Sequence, residues 1–157
     1  MAETIQQQLR EWLDESSTAV RYDEYQQSWR DHLADATAQA SALLGIADRT
    51  RPMHIGVLLG NTPDMLTALA AAGLGGYVLC GINNTRRGAA LRRDILHADC
   101  QILLTDAHHR GLIDGLDLPG VRVLDVGGDE WAALVAGAGP LSPYREVGPM
   151  DTFMLIF

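Results

Sequence analysis

The sequence predicts an α/β fold in which a parallel sheet carries helices on both faces. Two observations lead there. The first is the stretch from Arg51 to Arg87, RPMHIGVLLGNTPDMLTALAAAGLGGYVLCGINNTRR, which reads as one complete strand, helix and strand. His54 to Leu59 is an apolar run, interrupted by Gly56, with the length and β-branched content of a strand buried on both faces. Gly60-Asn61 stops it. Thr62 is placed to cap a helix through its hydroxyl, Pro63 suits a first turn that needs no donor, and Asp64 complements the positive end of the helix dipole. Leu66, Leu69 and Gly73 share one face, while Ala68, Ala70, Ala71 and Ala72 keep the helix slim enough to lie close on a sheet. Gly73, Gly75 and Gly76 are expected to end it, and Tyr77 to Ile82 is the second strand of a unit sized for a right-handed crossover. The second observation is that strand and helix keep alternating beyond this unit.

Taken in order, Ile5, Leu9, Trp12 and Leu13 recur at helical spacing, so the chain begins with an amphipathic helix. Thr18 to Tyr22 is a short strand. Asp23 with Gln26 resembles a capping box, and Tyr25, Trp29, Leu33, Ala36, Ala40 and Leu43 mark one face of a long helix ended by Gly45. After the central unit, the Asn83-Asn84-Thr85 turn opens a helix with Leu91, Ile95 and Ala98 inward and Arg86, Arg87, Arg92 and Arg93 outward. Gln101 to Thr105 is a third strand in the sheet, Asp106 caps a short helix through Leu112 and Ile113, and Val121 to Val126 is a fourth. Asp129 is expected to cap a helix carrying Trp131, Leu134 and Val135. Gly137 to Met150, rich in Gly, Pro and Ser, is a crossing loop before a last apolar strand, Phe153 to Phe157. Such sheets bind ligands beyond the carboxyl ends of their strands, so a chain that stops on an apolar strand reads as interrupted where a functional loop should begin.

Charge and cysteines restrict the function classes. At 157 residues the chain corresponds to one domain, and a net charge of −8 without a periodic basic face argues against a nucleic-acid partner. Cys80 and Cys100 read as small buried hydrophobes in a reducing, cytoplasmic setting. No apolar run reaches the about 18 residues a membrane span needs; the expectation is a cytoplasmic protein, with membrane contact limited to the periphery.

Several chemistries find no footing. The turn at Gly60-Asn61-Thr62 has one glycine where a dinucleotide fingerprint needs three, and no phosphate-binding Gly-x-x-x-x-Gly-Lys motif occurs. His97, Asp99, Cys100, Asp106, His108 and His109 lie close in sequence but lack the paired spacing of a zinc module, so no metal site is assigned and these histidines are read as solvated or locally satisfied. Ser41 and Ser142 lack a nucleophile elbow, and no catalytic residue is assigned.

The phrases VRYDEY, HIGVLLGNTPDMLTALAAAGLGGYVLCGINNTRRGAALRRDILHADCQILLTD and DTFMLIF resemble the N-terminal part of AMP-forming acyl-CoA synthetases of the adenylate-forming superfamily. Asn83 or Asn84 followed by Arg87 and Leu91 looks most like the fatty acid transport protein and very-long-chain acyl-CoA synthetase branch, and the Ala, Gly, Asp and Arg richness suits a mycobacterial-type fatty-acid–CoA ligase. The resemblance implies that residues 1–157 form an incomplete N-terminal subdomain of an adenylate-forming enzyme. The phosphate loop, the remaining AMP-binding domain and the C-terminal domain would lie outside them.

For the intact enzyme it implies activation of a fatty acid by ATP and Mg2+, followed by transfer to coenzyme A, with no cofactor held by this part and no activity in isolation. Asn61, Asn83, Asn84 and Arg87 are the candidates for one wall of the substrate or coenzyme A cleft; the competing reading makes them turn residues and a helix-start charge. The alternative functions are a standalone flavodoxin-like binding module, or a degenerate synthetase that binds a partner. An unfinished sheet is also expected to self-associate through its exposed edge.

Overall fold

The pleat of the strands divides the core in two. In a computed structural model describing residues 1–157, Ile55, Val57, Leu79, Ile102, Leu104 and Leu124 share one apolar cluster with helical residues Leu33, Leu43, Ala71 and Trp131. Their neighbours along the strands, Leu58, Val78, Cys80 and Leu103, join Leu91, Ile95 and Ile113 in a second cluster on the opposite face. Both faces of the sheet are therefore covered.

The chain runs α1 (Ile5–Glu11), β1 (Thr18–Tyr22), β2 (Tyr25–Ser28), α2 (Trp29–Ile46), β3 (His54–Leu58), α3 (Pro63–Gly75), β4 (Val78–Gly81), α4 (Gly88–His97), β5 (Ile102–Thr105), β6 (Arg122–Asp125), α5 (Asp129–Ala136) and β7 (Met154–Ile156). The strands β1 and β2 form an antiparallel hairpin; the other five form a sheet in the order β6-β5-β3-β4-β7, every pair parallel. From β3 the chain crosses through α3 to its neighbour β4, then returns over the other face through α4 to β5 on the far side of β3. The direction of winding thus reverses at β3, which makes the carboxyl end of that strand the topological switch point.

Two glycines show why the central unit tolerates no larger residue. A Cβ on Gly56 would stand 2.9 Å from both Cys100 Sγ and Leu103 Cδ1, so this strand glycine admits the α4–β5 connection. Gly76 caps α3 at φ +70°, and a Cβ there would meet the Arg145 carbonyl oxygen at 2.4 Å. The crossing loop is held at that point: Tyr144 N–H donates to Gly75 O at 2.8 Å, and Ser41 Oγ donates to Gly139 O at 2.7 Å. The buried Gln6 completes the strap, its Nε2 donating to Leu74 O and Arg145 O at 3.2 and 3.1 Å while its Oε1 accepts from Val147 N at 3.1 Å.

Several local expectations are corrected. Tyr25 lies in β2 and not in a helix: Asp23 and Glu24 form a two-residue hairpin loop with Asp23 at φ 49°, a left-handed conformation that Asp tolerates. The long helix begins at Trp29, where Ser28 Oγ accepts from Asp31 N at 3.2 Å, and it runs through Gly45 to Ile46. Thr62 occupies the cap of α3, but its hydroxyl takes no cap bond; Met65 N donates to the Thr62 carbonyl at 3.1 Å instead. Leu66 faces outward at 45% exposed, while Ala68, Ala70, Ala71, Ala72 and Leu74 form the buried face of α3. Gly73 lies inside α3, where a Cβ would stand 2.7 Å from Leu9 Cδ1, and only Gly76 caps it. Helix α1 stops at Glu11 with Trp12 as its cap, and Gly128, not Asp129, caps α5.

Candidate functional site

Three loops leave the carboxyl ends of the adjacent strands β3, β4 and β5, and one side chain from the second joins all three. Asn84, in the loop after β4, donates from Nδ2 to Leu59 O at 3.3 Å and lies 3.3 Å from His109 Nε2. His109, in the loop after β5, places Nδ1 at 2.8 Å from Asp106 Oδ1, and its backbone N–H donates to the same oxygen at 2.8 Å. A carboxylate only accepts, so Nδ1 carries the proton and Nε2 is left to accept from the Asn84 amide. Asn84 therefore donates in two directions, to Leu59 O and to His109, and His109 in turn donates to Asp106. Burial raises the pKa of Asp106, but the His109 side chain and backbone N–H groups outweigh it and hold the carboxyl below its ordinary value. Thr105 Oγ1 donates to Leu58 O at 3.2 Å and fastens the end of β5 to β3 beneath this relay.

The other sequence candidates sit around this rim with separate partners. Asn83 turns its Oδ1 back to accept from Thr85 N and Oγ1, at 2.9 and 2.7 Å. Arg87, at the cap of α4, is exposed and donates from Nη1 to the carbonyls of Asn84 and Arg86 at 2.9 and 2.7 Å. Its neighbours are occupied: Arg86 and Arg93 flank the buried Asp94, and Arg92 pairs with Asp117. Arg87 has no carboxylate partner, which leaves its charge available at the rim. Asn61 is exposed at the start of α3, on the side facing the β1–β2 hairpin.

Sequence reasoning treated Asp106 as a helix cap and His109 as locally satisfied, and missed that His109 reaches Asn84. The Asp-x-x-His spacing at a strand exit was the available signal, since a cap oxygen can bond backbone and imidazole three residues on. The structure brings no three His, Cys, Asp or Glu residues together as metal ligands. Cys80 and Cys100 are buried and free, with burial pushing their thiols up to about 12 and about 11, so they pack as apolar groups.

No protein-family model matches the chain. It is 39% identical over 155 residues to a medium/long-chain-fatty-acid–CoA ligase, FadD17, of Mycobacterium marinum, a match covering 98% of this chain and 30% of the relative. The chain is homologous to the AMP-forming acyl-CoA synthetases. It corresponds to their N-terminal part and spans about 30% of the length of the M. marinum synthetase. FadD17 of Mycobacterium tuberculosis is 40% identical over 140 residues, covering 88% of this chain and 27% of the relative. A steroid-22-oyl-CoA synthetase of Rhodococcus jostii is 36% identical over 159 residues, covering 98% and 28%. Among solved synthetase structures, the N-terminal domain of FACL13 from M. tuberculosis superimposes with a TM-score of 0.78 at 20% identity, over 98% of this chain and 41% of that one. A benzoate CoA ligase from Burkholderia xenovorans gives 0.79 at 18% identity, over 96% and 32%. The α/β fold, its parallel sheet and its kinship with the N-terminal part of adenylate-forming synthetases stand as read from the sequence.

Proposed function

We propose that residues 1–157 are the N-terminal subdomain of a long-chain fatty-acid–CoA ligase. The observation that supports this is the 39% identity to a medium/long-chain-fatty-acid–CoA ligase across 98% of the chain. In the intact ligase a fatty carboxylate attacks the α-phosphate of ATP, giving acyl-AMP and pyrophosphate; the thiol of coenzyme A then displaces AMP and leaves a thioester. The phosphate loop, the rest of the AMP-binding domain and the C-terminal domain belong to the intact enzyme in this reading. The subdomain's task is positional. It sets the sheet that aims the catalytic loops, and Asn61, Asn83, Asn84 and Arg87 form one wall of the acyl or coenzyme A cleft. Arg87 supplies that wall with an unpaired cation for an anionic substrate.

Two further assignments belong to the same reading. The strand β7 pairs only with β4, and Ile156 is 81% exposed, so this edge associates with another copy when left open; sedimentation at rising concentration tests this, and a clean monomer throughout contradicts it. The two free buried thiols suit a reducing cytoplasm. No helix is long and apolar enough to cross a membrane, and contact with lipid is assigned to the periphery.

The test is to purify the product of this gene at its natural length and follow pyrophosphate release with medium- and long-chain fatty acids, ATP, Mg2+ and coenzyme A. Fatty-acid-dependent release with equimolar AMP and acyl-CoA is the expected result. A folded product that releases no pyrophosphate with any fatty acid defeats the proposal.

A further inference from the structure

Asn84 carries two amide hydrogens and one side-chain carbonyl oxygen, and the loops after β3 and β5 take both hydrogens. One goes to Leu59 O and the other to His109 Nε2, each at 3.3 Å. The half-buried Asn84 keeps its Oδ1 free of hydrogen bonds within the chain and open to solvent. The atom left available at the rim is therefore an acceptor. That polarity depends on a bare Nε2 on His109, which the bond from Nδ1 to Asp106 Oδ1 enforces while the imidazole is neutral.

We propose that His109 is a positioning residue: its neutral form holds the Asn84 amide so that Oδ1 receives a hydrogen-bond donor, N–H or O–H, from the substrate, and its protonation undoes this. The use of Asn84 by a substrate rests on the ligase reading; the switch rests on the hydrogen bonds alone.

A second proton on the ring turns Nε2 into a donor, and two donors then face each other at 3.3 Å. Turning the Asn84 amide over lets Oδ1 accept from His109, but sets the same oxygen against Leu59 O, which also only accepts. In either arrangement one of the two bonds is lost, and the loop after β4 is freed from a neighbour. Charged groups approach this pair from several elements. Asp106 bonds the ring, Asp64 on α3 lies near enough to Asp106 to feel its charge, and the His108 ring is 4.8 Å away. Arg87 reaches the Asn84 backbone carbonyl, and Arg110 pairs with Asp125. Of these, only the histidines ordinarily titrate between about pH 8 and 6, and separate variants tell them apart.

The chain has three asparagines, so nitrogen NMR of the asparagine-labelled chain follows three side-chain amides. As pH falls from about 8 to about 5.5, the Asn84 amide should shift in step with the His109 ring, and its protection from exchange relative to Asn61 should fall about fivefold. Asn61 and Asn83 should stay in place. His109→Gln supplies an acceptor that does not titrate, so its Asn84 signals should hold still over the same range. His108→Gln should leave the parent behaviour intact. In the gene product at its natural length, kcat/KM for fatty-acid-dependent pyrophosphate release should fall as His109 is protonated, and His109→Gln should remove that limb of the pH profile.

Asn84 signals that stay flat across this range overturn the proposal. So does a His109→Gln chain in which they still move, or a His108→Gln chain in which they no longer do. A His109→Gln ligase that keeps the parent pH limb overturns the contact between Asn84 and substrate. A gene product whose Asn84 titrates as described, yet which releases no pyrophosphate with any fatty acid, defeats the ligase reading while the His109 switch stands.

Discussion

Replacing Gln6 by Leu removes the clamp that holds the crossing loop on α3. Gln6 is 1% exposed, and its amide serves three backbone groups: the carbonyls of Leu74 and Arg145 and the N–H of Val147. Each such hydrogen bond contributes about 1 kcal/mol net, and a buried group left without a partner costs somewhat more. Leu restores part of this through its own burial, so the expected loss is about 2–3 kcal/mol, or roughly 6–9 °C in Tm for a chain of this size. Urea unfolding followed by circular dichroism measures it. Gln8→Leu, at an exposed position on the same helix, should change stability by less than about 0.5 kcal/mol. Amide exchange at Val147 should accelerate in the Gln6 variant only. A loss below 1 kcal/mol, or no change in Val147 exchange, would show that the strap is held by other contacts and that the clamp has been misread.

Three further outcomes are expected. Gly76→Ala should cost more than 3 kcal/mol in urea unfolding, because its left-handed φ and the nearby Arg145 carbonyl both oppose a Cβ; Gly115→Ala, also left-handed but with open space around it, should cost only about 1 kcal/mol. Burial lowers the folded pKa of His32, so the unfolded chain takes up that proton first: the contribution is complete above the ordinary histidine value of about 6.5 and is lost as pH falls through the lower folded value. Stability measured from pH 8 to 5 should therefore drop, by at most about 1.4 kcal/mol per pH unit for this one group, and His32→Phe should flatten that part of the curve. Asp106→Asn should release the tautomer of His109, so that nitrogen NMR no longer reports protonation confined to Nδ1 and the Asn84 side-chain amide exchanges faster.

The βαβ unit could be read closely because every level agreed there: the apolar length of β3, Pro63 at the first helical position and Gly76 at the cap all favour the same structure. Where the reading failed, two local signals competed. Asp23 and Gln26 have capping-box spacing, yet Asp23 tolerates a left-handed turn and Tyr25 pairs with Tyr22, so the hairpin prevailed and the cap moved to Ser28. On α3 the leucines suggested the buried face, but Ala68, Ala70, Ala71, Ala72 and Leu74 form it, and Leu66 faces outward. Asn83, Asn84 and Arg87 could be picked out as residues of one turn. Their separate roles could not, since the bond from Asn84 to His109 spans 25 residues and depends on which strands lie side by side.

A chimera tests the subdomain assignment most directly. This chain replaces the matched 155-residue segment of the M. marinum fatty-acid–CoA ligase, and decanoyl- and palmitoyl-CoA formation is measured against the parent enzyme. A folded chimera that forms acyl-CoA within about tenfold of the parent rate is the predicted result. A chimera that folds to the parent's stability yet makes neither acyl-AMP nor acyl-CoA would contradict it.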